Sequence, residues 1–198
     1  MSIESSESDV TLFPGPFLYR TKVKNHGNIK RVLWDWIQAD KESQFYDLSF
    51  PWDNRGANDP SSAFMDHLHD LDFIRNIVFD PIADCVDELP FEMPDLSNIH
   101  LVDIWYTYYN RGNCHHPHVH PTSTFSGIYL YHLEEDNRTV FFGNGSNQAY
   151  QDFMHRTSYA KEGEIIIFPS EMYHYVDPSV TDRVTISFNV QCEFDIVQ

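Results

Sequence analysis

Apolar residues recur at helical spacing in the first half of the chain and at strand spacing in the second. Ile29, Val32, Leu33, Trp36 and Ile37 fall at i, i+3, i+4, i+7 and i+8, which predicts a helix with one apolar stripe. Gly27-Asn28 just before it offers a start signal. A second stripe runs through Phe64, Leu68 and Leu71. A third uses Ile74, Ile77, Val78, Ile82, Val86 and Leu89, with Pro81 as an expected kink or break. Between the first two, Pro51 to Pro60 is polar and turn-rich, hence a loop.

From Ile99 the period changes to two. Ile99 to Asn110 is rich in β-formers, with Leu101, Asp103, Trp105, Thr107 and Tyr109 on one face and Val102, Ile104, Tyr106 and Tyr108 on the other. Gly127 to Leu133, Arg138 to Phe142, Glu164 to Phe168 and Arg183 to Phe194 follow as strands, separated by Pro, Gly, Asn and Asp clusters. Residues 1–11 read as a loose tail, 12–98 as a mostly helical support and 99–198 as a strand-rich core. No repeat of fixed period and no second domain is visible, so a single domain is expected over 1–198. Helices followed by many short strands argue for an α+β layout in which helices buttress an all-β core.

Composition narrows the possibilities. A chain of 198 residues can bury one substantial core without disulfides. The formal charge of −17 repels phosphate backbones, so nucleic acid is not an expected partner. It weakly favours a neutral or cationic substrate. Cys85, Cys114 and Cys192 are odd in number and widely spaced, which points to a reduced, cytoplasmic protein. The polar, acidic start MSIESSESDV does not resemble a signal peptide, and no apolar run is long enough to span a bilayer, so no membrane partner is expected.

Chemistry enters with the histidines. Four of the eleven stand together in Asn113-Cys114-His115-His116-Pro117-His118-Val119-His120-Pro121. Neutral imidazole suits iron, zinc, copper and nickel. On a strand, residues two apart share a side, so His118 and His120 can converge on one ion, and so can His116 and His118. A third ligand must come from further along. His174, beyond the apolar strand Ile165-Ile166-Ile167-Phe168, is the best candidate, since distant strands of a barrel meet at one mouth. Arg183 follows, inside a strand whose face also carries Thr185, Ser187 and Asn189. A guanidinium there could grip a carboxylate with two parallel hydrogen bonds.

These pieces together resemble the 2-oxoglutarate and iron(II)-dependent oxygenases, and more narrowly the small members found in bacteria and phages. The matching stretches are His118-Val119-His120-Pro121 leading to Ser126-Gly127-Ile128-Tyr129, then Lys161 to Ser170, then His174, then Arg183-Val184-Thr185-Ile186-Ser187-Phe188-Asn189. The resemblance covers about residues 99–194 and selects His118 and His120 over His116 and His118. It implies a double-stranded β-helix, a cupin-like jelly-roll of two sheets, with iron(II) at its mouth. His118, His120 and His174 would be the metal ligands and the catalytic centre, and Arg183 would hold the far carboxylate of 2-oxoglutarate. Tyr108 and Tyr129 would help bind the cosubstrate, with Tyr131 a rival to Tyr129. The expected reaction couples decarboxylation of 2-oxoglutarate to oxidation by O2, a hydroxylation for preference, of a small-molecule or amino-acid-like substrate. Pocket walls would come from loops such as Asp53 to Pro60 and Gly143 to Thr157.

One departure from the wider superfamily stands out. Its usual pattern is H-x-D or H-x-E, and here the second position is His120. A carboxylate such as Glu171 or Asp177, or the thiol of Cys114, could then approach the metal. Two other functions compete: a three-histidine, cupin-type iron dioxygenase that needs no 2-oxoglutarate, and a non-catalytic jelly-roll used for binding or structure. Arg183 fits the first poorly. A closely spaced histidine group fits the second poorly, because polar groups left unused in a barrel are costly.

Overall fold

The computed structural model describes residues 17–43, 71–89, 96–134, 141–143, 156–157 and 160–195. The loose tail, the Phe64 and Leu68 part of the second stripe, and the loops at 51–60 and 144–155 lie outside the described residues.

Among the described residues, nine strands build two sheets. The first strand, β1 (Tyr19–Lys22), lies in the region read as mostly helical, where four residues are too few to show a period. The others are β2 (Leu96–Tyr109), β3 (His115–His118), β4 (Phe125–Leu133), β5 (Phe141–Gly143), β6 (Arg156–Thr157), β7 (Glu164–Pro169), β8 (Tyr173–Val176) and β9 (Arg183–Phe194). One sheet runs β1-β7-β4-β9-β2 and the other β3-β8-β5-β6, with antiparallel pairing throughout. Neighbours in space are seldom neighbours in sequence, as in a jelly-roll, the double-stranded β-helix.

The five-stranded sheet is buried on both faces. Ile104, Tyr106, Tyr129, Tyr131, Ile165, Ile167, Val184 and Ile186 form one core with the helices. Ile128, Leu130, Ile166 and Phe168 turn the other way and pack with Tyr109 and Val176. Alternation along each strand sorts the residues into these two sets.

Helix α1 (His26–Ser43) begins one residue before the predicted Gly27-Asn28 signal. Asn25 takes φ 61°, and its carbonyl accepts from the Asn28 and Ile29 amides. Asparagine tolerates this left-handed geometry better than most residues. Ile29, Leu33 and Ile37 are buried, while Val32, placed in the stripe by spacing, is 69% exposed. The buried line therefore follows i, i+4, i+8 and is narrower than predicted. Lys30 ties the helix to the sheet: its ammonium donates to Glu162 at 2.5 Å, and its carbonyl accepts from the Tyr131 hydroxyl at 2.6 Å.

The third stripe forms a second helical stretch, α2 (Leu71–Ile74), which passes through a π-helical turn at Arg75–Phe79 into α3 (Asp80–Glu88). Pro81 neither ends nor removes the helix. It lacks an N–H to return to the preceding turn, and the turn widens just before it, with the Asp80 amide reaching the Arg75 carbonyl.

Candidate metal centre

Strand pairing brings the first two histidines together. His118 on β3 lies directly opposite His174 on β8, with ring centroids 4.1 Å apart. Directly opposed residues of an antiparallel pair have adjacent side chains. His120 arrives differently. Strand β3 ends at His118, so the shared-face argument stops short of His120. Its amide donates to the Ser170 carbonyl at 2.7 Å, which fixes the backbone just beyond the strand. Its ring centroid lies 5.0 Å from His118 and 5.2 Å from His174. One ligand-capable atom from each of the three lies within 4.8 Å of the others.

Among the described residues, His118, His120 and His174 are the group able to hold a metal in this way. Neither Glu171, Asp177 nor Cys114 joins them.

The electrostatics suit a metal. Burial, reinforced by the neighbouring His118, lowers the pKa of His120 to about 4. Burial and then His118 lower His174 further, to about 3. Both rings are therefore neutral near pH 7, the form that ligates metals. The His174 Nδ1 lies 3.0 Å from the Met172 carbonyl. A carbonyl only accepts, so Nδ1 carries the proton and Nε2 keeps its lone pair for a metal.

The three histidines open onto a cavity, partly exposed to solvent, which Arg183 and Thr185 also line. Arg183 is 1% exposed, and its guanidinium lies 4.5 Å from the centre of the Tyr109 ring. Burial pulls its pKa down, and Tyr109 opposes that shift. Ser187 and Asn189 lie on the same wall, as the strand pattern predicted.

The predicted tyrosines are not brought to this cavity. Tyr108 belongs to the helix-side core, and its hydroxyl donates to Asp182 at 3.0 Å. Tyr129 lies on that side too, with its hydroxyl 2.5 Å from His26 Nδ1, and so does its rival Tyr131. Tyr109 and Ile128, one residue away in each strand, face the cavity instead. Each of these strands buries both faces, so hydrophobicity alone did not show which face looks inward.

Sequence reasoning also passed over His115, which stacks on His118 at 4.1 Å and lines the cavity. The signals available were the alternation that puts Tyr109 with Trp105 and Thr107, and the nearness of His115 to the chosen pair.

No curated protein matches the chain in sequence. Residues 103–189 match a family profile described as "Putative 2OG-Fe(II) oxygenase", a span that contains all three histidines and Arg183. This stretch, a little under half of the chain, is similar to the 2OG-Fe(II) oxygenases. The chain has a fold similar to that of a Pseudomonas putida prolyl-4-hydroxylase, at 12% identity and TM-score 0.52, covering 88% of this chain and 86% of that one. It is also similar to HygX from Streptomyces hygroscopicus, solved with nickel and 2-oxoglutarate bound, at 10% identity and TM-score 0.57, covering 88% and 82%. It spans 55% of the length of a 2OG-Fe(II) oxygenase family oxidoreductase from Burkholderia pseudomallei, at 10% identity, 66% of this chain and TM-score 0.47.

The matched profile describes an oxygenase that uses iron(II) and 2-oxoglutarate. The residues of this chain fit that pair. Three converging imidazoles suit iron(II), and a buried guanidinium in the same cavity suits a dicarboxylate. No helix among the described residues is long and apolar enough to cross a membrane.

Proposed function

We propose that His118, His120 and His174 hold iron(II), that Arg183 takes the far carboxylate of 2-oxoglutarate, and that the enzyme hydroxylates a small-molecule or amino-acid-like substrate in the cytoplasm, working as one domain. The observation that carries this reading is the convergence of three imidazoles within 4.8 Å in the cavity that Arg183 also lines.

Iron(II), when bound, supplies oxygen activation coupled to the conversion of 2-oxoglutarate to succinate and carbon dioxide. The chain's own groups do the rest. Arg183, braced against Tyr109, orients the cosubstrate by charge and by its planar donor fork. Thr185 adds a hydroxyl on the same wall. Trp105 and Phe168 line the cavity with apolar surface, which limits water near the reacting atoms. Hydroxylation is supported by the prolyl-4-hydroxylase likeness, and a reduced compartment by the three free cysteines.

The test is anaerobic titration of the protein with iron(II) and then 2-oxoglutarate. A visible charge-transfer band that needs both is expected. Iron binding with no band and no 2-oxoglutarate affinity would instead support a dioxygenase that binds its substrate directly.

A further inference from the structure

His120 is the unusual member of the metal group, and a buried polar chain ends on its ring. The Ser170 hydroxyl lies 2.8 Å from the Ser126 hydroxyl. Ser126 donates to Asn189 Oδ1 at 2.6 Å, and Asn189 Nδ2 lies 3.4 Å from His120 Nδ1. Ser126, Ser170 and Asn189 are 2%, 1% and 4% exposed. Asp103 lies directly opposite Asn189 on the neighbouring strand β2. Ser170 holds His120 twice, through its carbonyl on the backbone and through this chain on the ring. Buried hydroxyls and amides are costly unless paired, so an apolar core would have been the cheaper filling.

We propose that Asn189, braced by Ser126 and Ser170, is a positioning residue that aims the His120 ring at the metal and matches its tautomer. This rests on the three-histidine reading of the site. With Nδ1 occupied by Asn189, Nε2 is the nitrogen left for the ion. In the arrangement described, Asn189 donates to Nδ1, so the neutral ring carries its proton on Nε2. Coordination through Nε2 moves that proton to Nδ1, which then needs an acceptor. An amide can supply one by presenting Oδ1, and a serine hydroxyl can turn from donor to acceptor. The chain therefore serves both tautomers, which a leucine at 189 could not do.

The test uses cobalt(II) as the probe on the full chain, with affinity by calorimetry and proton NMR of the loaded protein. Asn189→Leu is expected to lower cobalt(II) affinity about 10- to 100-fold. It should also broaden by rapid exchange one shifted imidazole N–H resonance, the one that His120→Ala removes. Ser126→Ala, a milder change that guards against misfolding at 189, should move both readouts the same way by less. Adding Asn189→Leu to His120→Ala should cost nothing further. Wild-type affinity and an unchanged resonance in Asn189→Leu and Ser126→Ala, with His120→Ala still weak, would overturn the role of Asn189 and leave the metal group standing. Undiminished cobalt(II) affinity in His120→Ala would overturn the three-histidine reading and this proposal with it.

Discussion

Gly127 on β4 sits directly across from Phe188 on β9, and a Cβ placed on Gly127 would lie 2.0 Å from Phe188 Cζ. The phenyl ring occupies the space a side chain would take, and both residues line the cavity. Gly127→Ala must displace the ring. Overpacking of this kind costs about 1–3 kcal/mol. The expected result is a lower melting temperature together with weaker 2-oxoglutarate binding, read by thermal denaturation and calorimetry. A Gly127→Ala protein with unchanged melting would mean that Phe188 moves freely.

Arg183 should separate cosubstrate from metal. Arg183→Leu removes a buried charged partner of a carboxylate, a loss of about 2–5 kcal/mol, or at least about thirtyfold in affinity. Metal affinity should stay within about threefold, a change well under 1.4 kcal/mol. Calorimetry of each ligand checks this, and equal losses of both would point to general unfolding.

The metal group predicts unequal effects along the histidine run. His118→Ala, His120→Ala and His174→Ala should each lower iron(II) affinity by at least about 100-fold, the upper end of what losing a mere ligand partner costs. His116→Ala should leave it unchanged. Anaerobic metal titration distinguishes them, and sensitivity at His116 would shift the ligand assignment by one step.

Neighbouring tyrosines on β2 should differ. Tyr109→Leu removes the ring beneath Arg183, a contact worth about 0.5–2 kcal/mol, and should weaken 2-oxoglutarate severalfold. Tyr108→Phe loses a hydrogen bond to Asp182, at about 0.5–1.5 kcal/mol of stability, and should leave cosubstrate affinity intact. The reverse pattern in binding assays would restore Tyr108 as the cosubstrate residue.

Acid should loosen α1 through Glu162. Burial alone would raise its pKa, but the Leu133 amide and the Lys30 ammonium outweigh it, so the net shift is downward from 4.5. The unfolded chain thus binds this proton more readily than the folded one. The stabilisation is full above the unfolded value and is lost as pH falls through the lower folded value. Glu162→Gln should be less stable at pH 7, and the gap should shrink below about pH 4, the ordinary glutamate range. Urea melts across pH would show this, and a gap that persists into acid would argue against it.

What the sequence alone determined was local or ordered along the chain. The stripe of Ile29, Leu33 and Ile37, the extent of β9, and the order His118, His120, His174, Arg183 each follow from spacing within a few residues or from a resemblance carried by short motifs. The tertiary structure decided everything that depends on direction. Tyr108 and Tyr129 went to the helix side and Tyr109 to the cavity because a sheet buried on both faces has two apolar sets, and alternation separates them without saying which looks inward. His120 joined the metal group through a bond to Ser170, and Asn189 reached its ring only because β9 lies beside β4. Contacts between residues so far apart along the chain leave no periodic trace, since they arise only when strands distant in sequence pair.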